Sequence, residues 1–259
     1  MISFEITDHA ALIAFWLIFT RWLAIIIQLP LFDNIAVPMT VKILSTLMIS
    51  FCFFPYLSPV MIAEVKLVGV DQFWFLTIVN TIIGLVIGFF VKSIMSIFVA
   101  AGSVITQQIG FAALSYFDQT SSAQIGPFEK LIQWTMVVLV ISSGALFPMF
   151  NGIFKSFFSI NFSDMGNLAH SPAFFVEFFK SVFLAALMLS TPLIFINMLI
   201  MTVLGIIART VPQMNIIMVS FAVNIGMGLL VFAATSDEFF QVAFRVYTEK
   251  LGEWFQFIT

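Results

Sequence analysis

The stretch of sequence that decides the fold runs from Phe73 to Val91 and reads FWFLTIVNTIIGLVIGFFV. It carries no charged side chain, and a transmembrane helix needs about 20 predominantly apolar residues. Because backbone amides in lipid must bond within their own segment, the stretch predicts a helix rather than a strand. Gly84 and Gly88 form a GxxxG pattern in it, which either marks a close helix–helix contact or arises by chance in a membrane helix. Small residues at Ala100–Gly102 and Asn224–Gly228 predict further tight helix contacts.

The whole chain has the same apolar character as this stretch. Its 259 residues are 61% hydrophobic and 9% charged, with a mean hydropathy of +1.13, whereas soluble domains are about 45–50% apolar and about 25% charged. These values predict an all-α, polytopic helical membrane protein. The other candidate segments are Ala10–Phe32, Val41–Ala63, Ile94–Ile109, Leu131–Ile153, Ser181–Ala208 and Met214–Ala234.

Several functional classes lack the residues that they need. Lys and Arg are spread singly along a chain of net charge −3, so no basic face for nucleic acid is expected. The lone Cys52 cannot form an internal disulfide. His9 and His170 are the only histidines, and no HExxH, Cys/His cluster or Gly-rich phosphate loop accompanies them. Ser142–Gly144 lies in a predicted apolar helix without a nearby base. We therefore predict no catalytic residue, metal site or cofactor, and a protein that is not an enzyme.

Two cations lie within or between the apolar segments, where charge is costly and often functional. Arg21 is halfway along the first segment, and it either pairs with a neighbouring carboxylate, extends to an interface or serves a transport pathway. Lys92 is predicted to lie between the third and fourth segments. The acidic residues fall at or outside segment ends, which counts against a secondary transporter. The remaining Lys and Arg are too evenly distributed to give an orientation.

The central stretch from Gln107 to Pro127, QQIGFAALSYFDQTSSAQIGP, is half polar. Gly110 and Gly126 bracket it, and Asp118–Ser122 is typical of turns. Irregular backbone at membrane depth is tolerated only inside protein or beside a water-filled cavity. The segment is therefore either an ordinary extramembrane loop or a plug whose aromatic side chains block a pore, and composition favours neither.

A second polar stretch, RTVPQMN at Arg209–Asn215, separates two long apolar segments. Pro212 is suited to end the first helix or open the second. The stretch is either a plain turn between two helices or, through Arg209, Gln213 and Asn215, a tip where a partner docks.

The two polar stretches together, with ARTVPQMNIIMVSFAVNIGMGL following the second, resemble the FliR family over essentially the whole chain. That family comprises flagellar type III export gate subunits, and its counterpart in virulence secretion is the SctT family. The resemblance implies a FliP-like helical part joined to a FliQ-like helical hairpin at Ser181–Ala234, within one domain that spans residues 1–259.

The resemblance also implies partners, a location and site residues. FliP and FliQ would share one export gate with this chain in the bacterial inner membrane, within the flagellar basal body. FlhB would dock at the Arg209–Asn215 tip, FlhA would be a further partner, and unfolded flagellar proteins would be the substrates. The implied channel plug comprises Gly110, Phe111, Leu114, Tyr116, Phe117, Asp118 and Gly126.

Three alternatives to a flagellar export gate subunit stay open from the sequence. They are a virulence-system gate subunit, a self-sufficient membrane transporter or channel, and a structural membrane scaffold in which the central segment has no function.

Overall fold

The computed structural model describes residues 9–29, 37–111, 126–160, 172–211 and 215–258. All regular elements in these ranges are helices, so the predicted all-α fold is confirmed. Five of them are long and apolar enough to cross a membrane, or six if α4 and α5 count as one broken span. The helices are α1 (His9–Gln28), α2 (Met39–Val68), α3 (Phe73–Ile109), α4 (Pro127–Ser142), α5 (Leu146–Ser159), α6 (Pro172–Thr210) and α7 (Ile216–Ile258), with a 3₁₀ turn at Val70–Gln72.

Helix α3 joins two segments that were predicted to be separate. The predicted boundary at Lys92 was wrong, because the helix runs without a break from Phe73 to Ile109. The Lys92 side chain is exposed on this helix. A single charge lowers the hydropathy of a segment, but lysine is a good helix former and does not end a helix.

The predicted segment Leu131–Ile153 was wrong in the opposite way, because it is broken into α4 and α5. Gly144 has a φ of 72°, a conformation that glycine adopts readily. The Ser143 amide donates to the Leu139 carbonyl at 3.0 Å, and the Gly144 amide donates to the Ile141 carbonyl at 3.2 Å. Ser142–Gly144 is thus a helix end, and not part of a continuous apolar helix as predicted.

Helices α6 and α7 extend beyond the predicted apolar segments. Helix α6 begins at Pro172, and a proline is well tolerated in the first turn of a helix. Helix α7 continues past Ala234 through Asp237 and Glu238, because helix formation does not require apolar residues. Hydropathy therefore located both helices, but it placed the start of α6 too late and the end of α7 too early.

Contacts within the chain group into two compact units. The first contains α1, α2, the part of α3 up to Ile94, and α5, with short pieces from the start of α6 and the end of α7. In its core the fully buried Trp22 stacks on Phe53 and Phe157, with ring centroids 5.8 and 6.0 Å apart. The second contains residues 95–145 and 176–250, which include α4 and most of α6 and α7.

The GxxxG pattern of α3 makes a close helix contact in the first unit. A Cβ atom at Gly84 would lie 2.6 Å from the Arg21 carbonyl oxygen, and one at Gly88 would lie 3.1 Å from the Ile25 Cα. Both glycines therefore face the backbone of α1, and the prediction of a helix contact is confirmed.

Arg21 is fully buried where α1, α3 and α5 meet. Its Nε donates to Asn80 Oδ1 at 3.0 Å, and its two terminal nitrogens donate to the carbonyls of Ser156 and Ile160 at 3.2 and 3.3 Å. The guanidinium carbon also lies 4.5 Å from the centre of the Phe157 ring. Because α5 ends at Ser159, the cation also meets the negative end of a helix dipole.

These contacts favour a structural role for Arg21 over the other two interpretations. Its direct partners are neutral oxygen atoms, while the Glu64 carboxylate of α2 attracts it through space. The side chain is inside the unit and does not reach an interface. It joins three helices, which is a structural role.

Candidate functional site

The central segment leaves α3 through a sharp, fixed turn. Gly110 has a φ of 89°, and its amide donates to the Gln107 carbonyl at 3.1 Å. The next amide, of Phe111, donates to the Thr106 carbonyl at 3.1 Å. This pair of bonds is a Schellman motif, in which glycine supplies the left-handed residue after the helix. Gly110 is thus required by the way in which α3 ends.

The segment returns beside the same turn of α3. A Cβ atom at Gly126 would lie 2.5 Å from Thr106 Cγ2, and one at Gly102 would lie 2.6 Å from the Glu129 Cα. Gly126 is extended and precedes Pro127, the first residue of α4, which is a favourable position for proline. We call Gly102, Thr106, Gly110, Gly126 and Glu129 the neck, because they hold the two ends of the central segment together.

Aromatic side chains pack beside the neck. The half-buried Phe111 contacts the buried Phe128, with ring centroids 5.6 Å apart. Phe128 in turn contacts Phe232 of α7 edge-on at 5.0 Å, and Phe232 contacts Phe239 at 5.8 Å. Burial of such rings stabilises the contact of α4 with α7. Phe111, the first predicted plug residue after Gly110, is therefore attached to the helices.

The last turn of α3 is also fixed to α6 and α7. Asn197 Nδ2 of α6 donates to Gln108 Oε1, and a Cβ atom at Gly228 of α7 would lie 2.7 Å from Ile109 Cγ1. The close contacts at Gly102 and Gly228 confirm the tight helix packing predicted for those two small-residue stretches. Sequence reasoning missed Thr106 and Asn197, although a lone amide in an apolar helix such as α6 is a signal that could have indicated Asn197.

The predicted site residues are only partly within the described chain. Gly110, Phe111 and Gly126 lie together at the neck or beside it. The other four predicted plug residues lie outside the described residues: Leu114, Tyr116, Phe117 and Asp118.

At the predicted docking tip, Arg209 and Asn215 are exposed, whereas Pro212 and Gln213 lie outside the described residues. The Met218 amide donates to Asn215 Oδ1 at 3.5 Å, so Asn215 begins α7 as a weak cap. The Arg209 side chain is directed to the surface at the end of α6, where a partner could contact it.

Comparison with known sequences identifies the family. Residues 12–249 match the profile of the family described as bacterial export proteins, family 1. This chain belongs to that family. The match includes both the neck and the Arg209–Asn215 tip.

Several family members are similar to this chain over most of its length. The flagellar biosynthetic protein FliR of Bacillus subtilis is 25% identical over 239 residues, which cover 91% of this chain and 90% of that protein. The FliR proteins of Borreliella burgdorferi and of Buchnera aphidicola from Baizongia pistaciae are 28% and 25% identical, over 70% and 81% of this chain and 70% and 80% of their own lengths. These relatives are named for flagellar biosynthesis and not for an enzymatic reaction. Within the described ranges, no three His, Cys, Asp or Glu side chains come together as metal ligands would.

Proposed function

We propose that this chain is a subunit of the flagellar type III protein export gate, located in the bacterial inner membrane within the flagellar basal body. The observation that carries the proposal is the family match over residues 12–249, together with relatives named FliR that align over most of the chain. The five or six apolar helices suit a membrane location. The flagellar names favour this function over a virulence-system gate.

We further propose that Gly110–Gly126 is a plug that closes the export channel. The neck supports this proposal, because a plug must return to one position after each opening and therefore needs a fixed base. Between the fixed ends the segment carries Phe, Leu and Tyr side chains that can pack against a pore wall, and Asp, Thr and Ser side chains that tolerate water. An unfolded substrate would displace the segment while the packed glycines keep its ends in place.

The mechanism requires no chemistry by this chain. Apolar packing of the plug would keep ions from crossing while no substrate is present, because a water-free apolar contact is a high barrier to charge. A passing polypeptide would then fill the channel in place of the plug. The energy for export would come from partner ATPase activity and the proton motive force.

We propose FliP, FliQ, FlhB and FlhA as partners of the gate, with the α6–α7 region over Ser181–Ala234 acting as a FliQ-like hairpin. The exposed faces of these helices support a role in assembly. Only 11% of the 18-residue apolar window in each helix is buried, so most of that stretch remains to be covered by lipid or by other subunits. The exposed Arg209 at the end of α6 is suited to dock FlhB.

The experiment that tests the function is complementation of a motile bacterium that lacks its own FliR. We expect the chain to restore swimming and to co-purify with FliP and FliQ in mild detergent. Restored needle-type secretion without swimming would favour the virulence alternative. Solute transport by the purified chain alone in liposomes would instead establish a self-sufficient transporter and contradict the gate assignment.

A further inference from the structure

A small cavity lies within the second unit, beside the last turn of α3. Its volume is about 10 Å³, close to the minimum that one water molecule needs. Three amide side chains line it: Gln108 of α3, Asn197 of α6 and Asn224 of α7. The rest of its wall is formed by aliphatic side chains and a glycine. The cavity is therefore polar at one place and apolar elsewhere.

Two of the amides have oxygen atoms with no hydrogen-bond partner in the described part of the chain. Asn197 Oδ1 and Asn224 Oδ1 are both buried, and neither accepts a hydrogen bond from any described residue. Asn224 is only 7% exposed. The Asn197 nitrogen already donates to Gln108 Oε1, which fixes the orientation of that amide. Buried oxygens without a donor are costly, so both amides favour a donor at this place.

We propose that the cavity is a binding site for one water molecule, which donates its two hydrogens to Asn197 Oδ1 and Asn224 Oδ1. A water molecule has two hydrogens to donate, one for each of these two buried oxygens, and the cavity has room for a single molecule. A metal cation fits less well, because three neutral amide oxygens and no carboxylate line the wall. Buried waters of this kind form part of a fold and are costly to remove.

This water joins α6 to α7 at the base of the neck. A Cβ atom at Gly110 would lie 4.0 Å from the Asn224 Cβ, so Asn224 is next to the turn where the central segment begins. Through the bond from Asn197 to Gln108, the same water is linked to α3. It completes a hydrogen-bonded connection among three helices, and this holds whether or not the central segment is a plug.

A double-mutant cycle in the purified gate complex tests the site. Asn197→Leu and Asn224→Leu each remove one acceptor and leave the other oxygen without a donor. We expect each single variant to lower the melting temperature by about 2–4 °C. The double variant should fall clearly short of the sum, because neither asparagine oxygen is then left in the cavity without a donor. The loss of the donor to Gln108 Oε1 is common to Asn197→Leu and the double variant. The control pairs Asn224→Leu with Thr202→Val, on the exposed side of α6, and we expect additive shifts. Additive shifts for Asn197 and Asn224 would overturn the proposal.

Two further measurements start from the unmodified complex. A high-resolution cryo-EM map should contain one density peak within hydrogen-bond distance of both amide oxygens, and its absence where other buried waters are resolved would overturn the proposal. Replacing sodium by choline in the buffer should leave the melting temperature unchanged. A sodium-dependent increase that disappears in Asn224→Leu would show that a cation occupies the site instead.

Discussion

Gly126 lies against Thr106, so closely that a Cβ atom on the glycine would be 2.5 Å from the threonine Cγ2. Thr106 also accepts the amide of Phe111 at its carbonyl, 3.1 Å away. One residue of α3 thus contacts both ends of the central segment. The Thr106 side chain has little freedom to move, because it is buried and its hydroxyl donates to the Gly102 carbonyl at 2.7 Å.

Gly126→Ala should displace the neck. The added methyl has no room beside Thr106, and overpacking of this kind costs about 1–3 kcal/mol. We expect a lower melting temperature of the purified gate and weaker swimming. Adding Thr106→Ala should restore much of both, because it removes the two atoms nearest to the new methyl. Gly226→Ala is the matched control, since nothing lies within 4 Å of its Cβ position; equal effects of the two alanines would contradict the close contact.

Gly84→Ala should push α1 away from α3. The new methyl would meet the backbone oxygen of Arg21, which cannot rotate away as a side chain can. We expect a loss of about 1–3 kcal/mol, measured as a lower thermal midpoint in detergent. Gly205→Ala on α6 has open space around it and should be neutral or stabilising by about 0.5–1 kcal/mol. An unchanged midpoint for Gly84→Ala would mean that α1 and α3 do not touch at this glycine.

Arg21→Lys should destabilise the first unit although it keeps the charge. Lysine cannot direct three donors to Asn80 and to the two carbonyls of α5 with the fork geometry of arginine. A buried hydrogen bond to a charged group contributes about 1.5–3 kcal/mol, so we expect a loss of that size. The substitutions Arg21→Lys and Asn80→Leu should be strongly non-additive.

Lys92→Gln on the exposed face of α3 is the control for Arg21→Lys and should change stability by less than about 0.5 kcal/mol. Arg21 would serve a transport pathway instead if its substitution stopped export while leaving the thermal midpoint unchanged.

Part of this fold can be predicted from the sequence, because short-range residue patterns indicate it. The GxxxG at Gly84 and Gly88 indicates its own contact, and apolar length locates α6 and α7. The end of α3 could not be predicted in this way, because the drop in hydropathy at Lys92 reflects a charged side chain and not the end of the helix. Hydropathy also did not indicate the break at Gly144 that follows the end of α4.

The neck and the cavity could not be predicted in the same way. The contact of Thr106 with Gly126 joins residues that are separated by the whole central segment, so it depends on how α3 and α4 pack. Asn197 and Asn224 lie on different helices, and no spacing rule relates them. Their one available signal was that each is an amide within an apolar stretch of its helix, where a polar group needs a partner.

The plug is the main element of the proposed function. The geometry of the neck allows most of the central segment to be deleted. Deleting Ser115–Gln124 leaves four residues between Phe111 and Gly126, which span up to about 13–14 Å when extended. Since both of these residues contact Thr106, the short connection can close without pulling α3 from α4. The variant should therefore assemble, and co-purification of FliP and FliQ in normal amounts is the control for this.

The most direct measurement is ion conductance across the inner membrane of cells that express the complete gate with and without this deletion. We predict that the deletion raises the leak of ions when no substrate is being exported, and that replacing Tyr116 and Phe117 together by serine raises it to a smaller extent. An assembled gate whose conductance is unchanged by the deletion would contradict the plug.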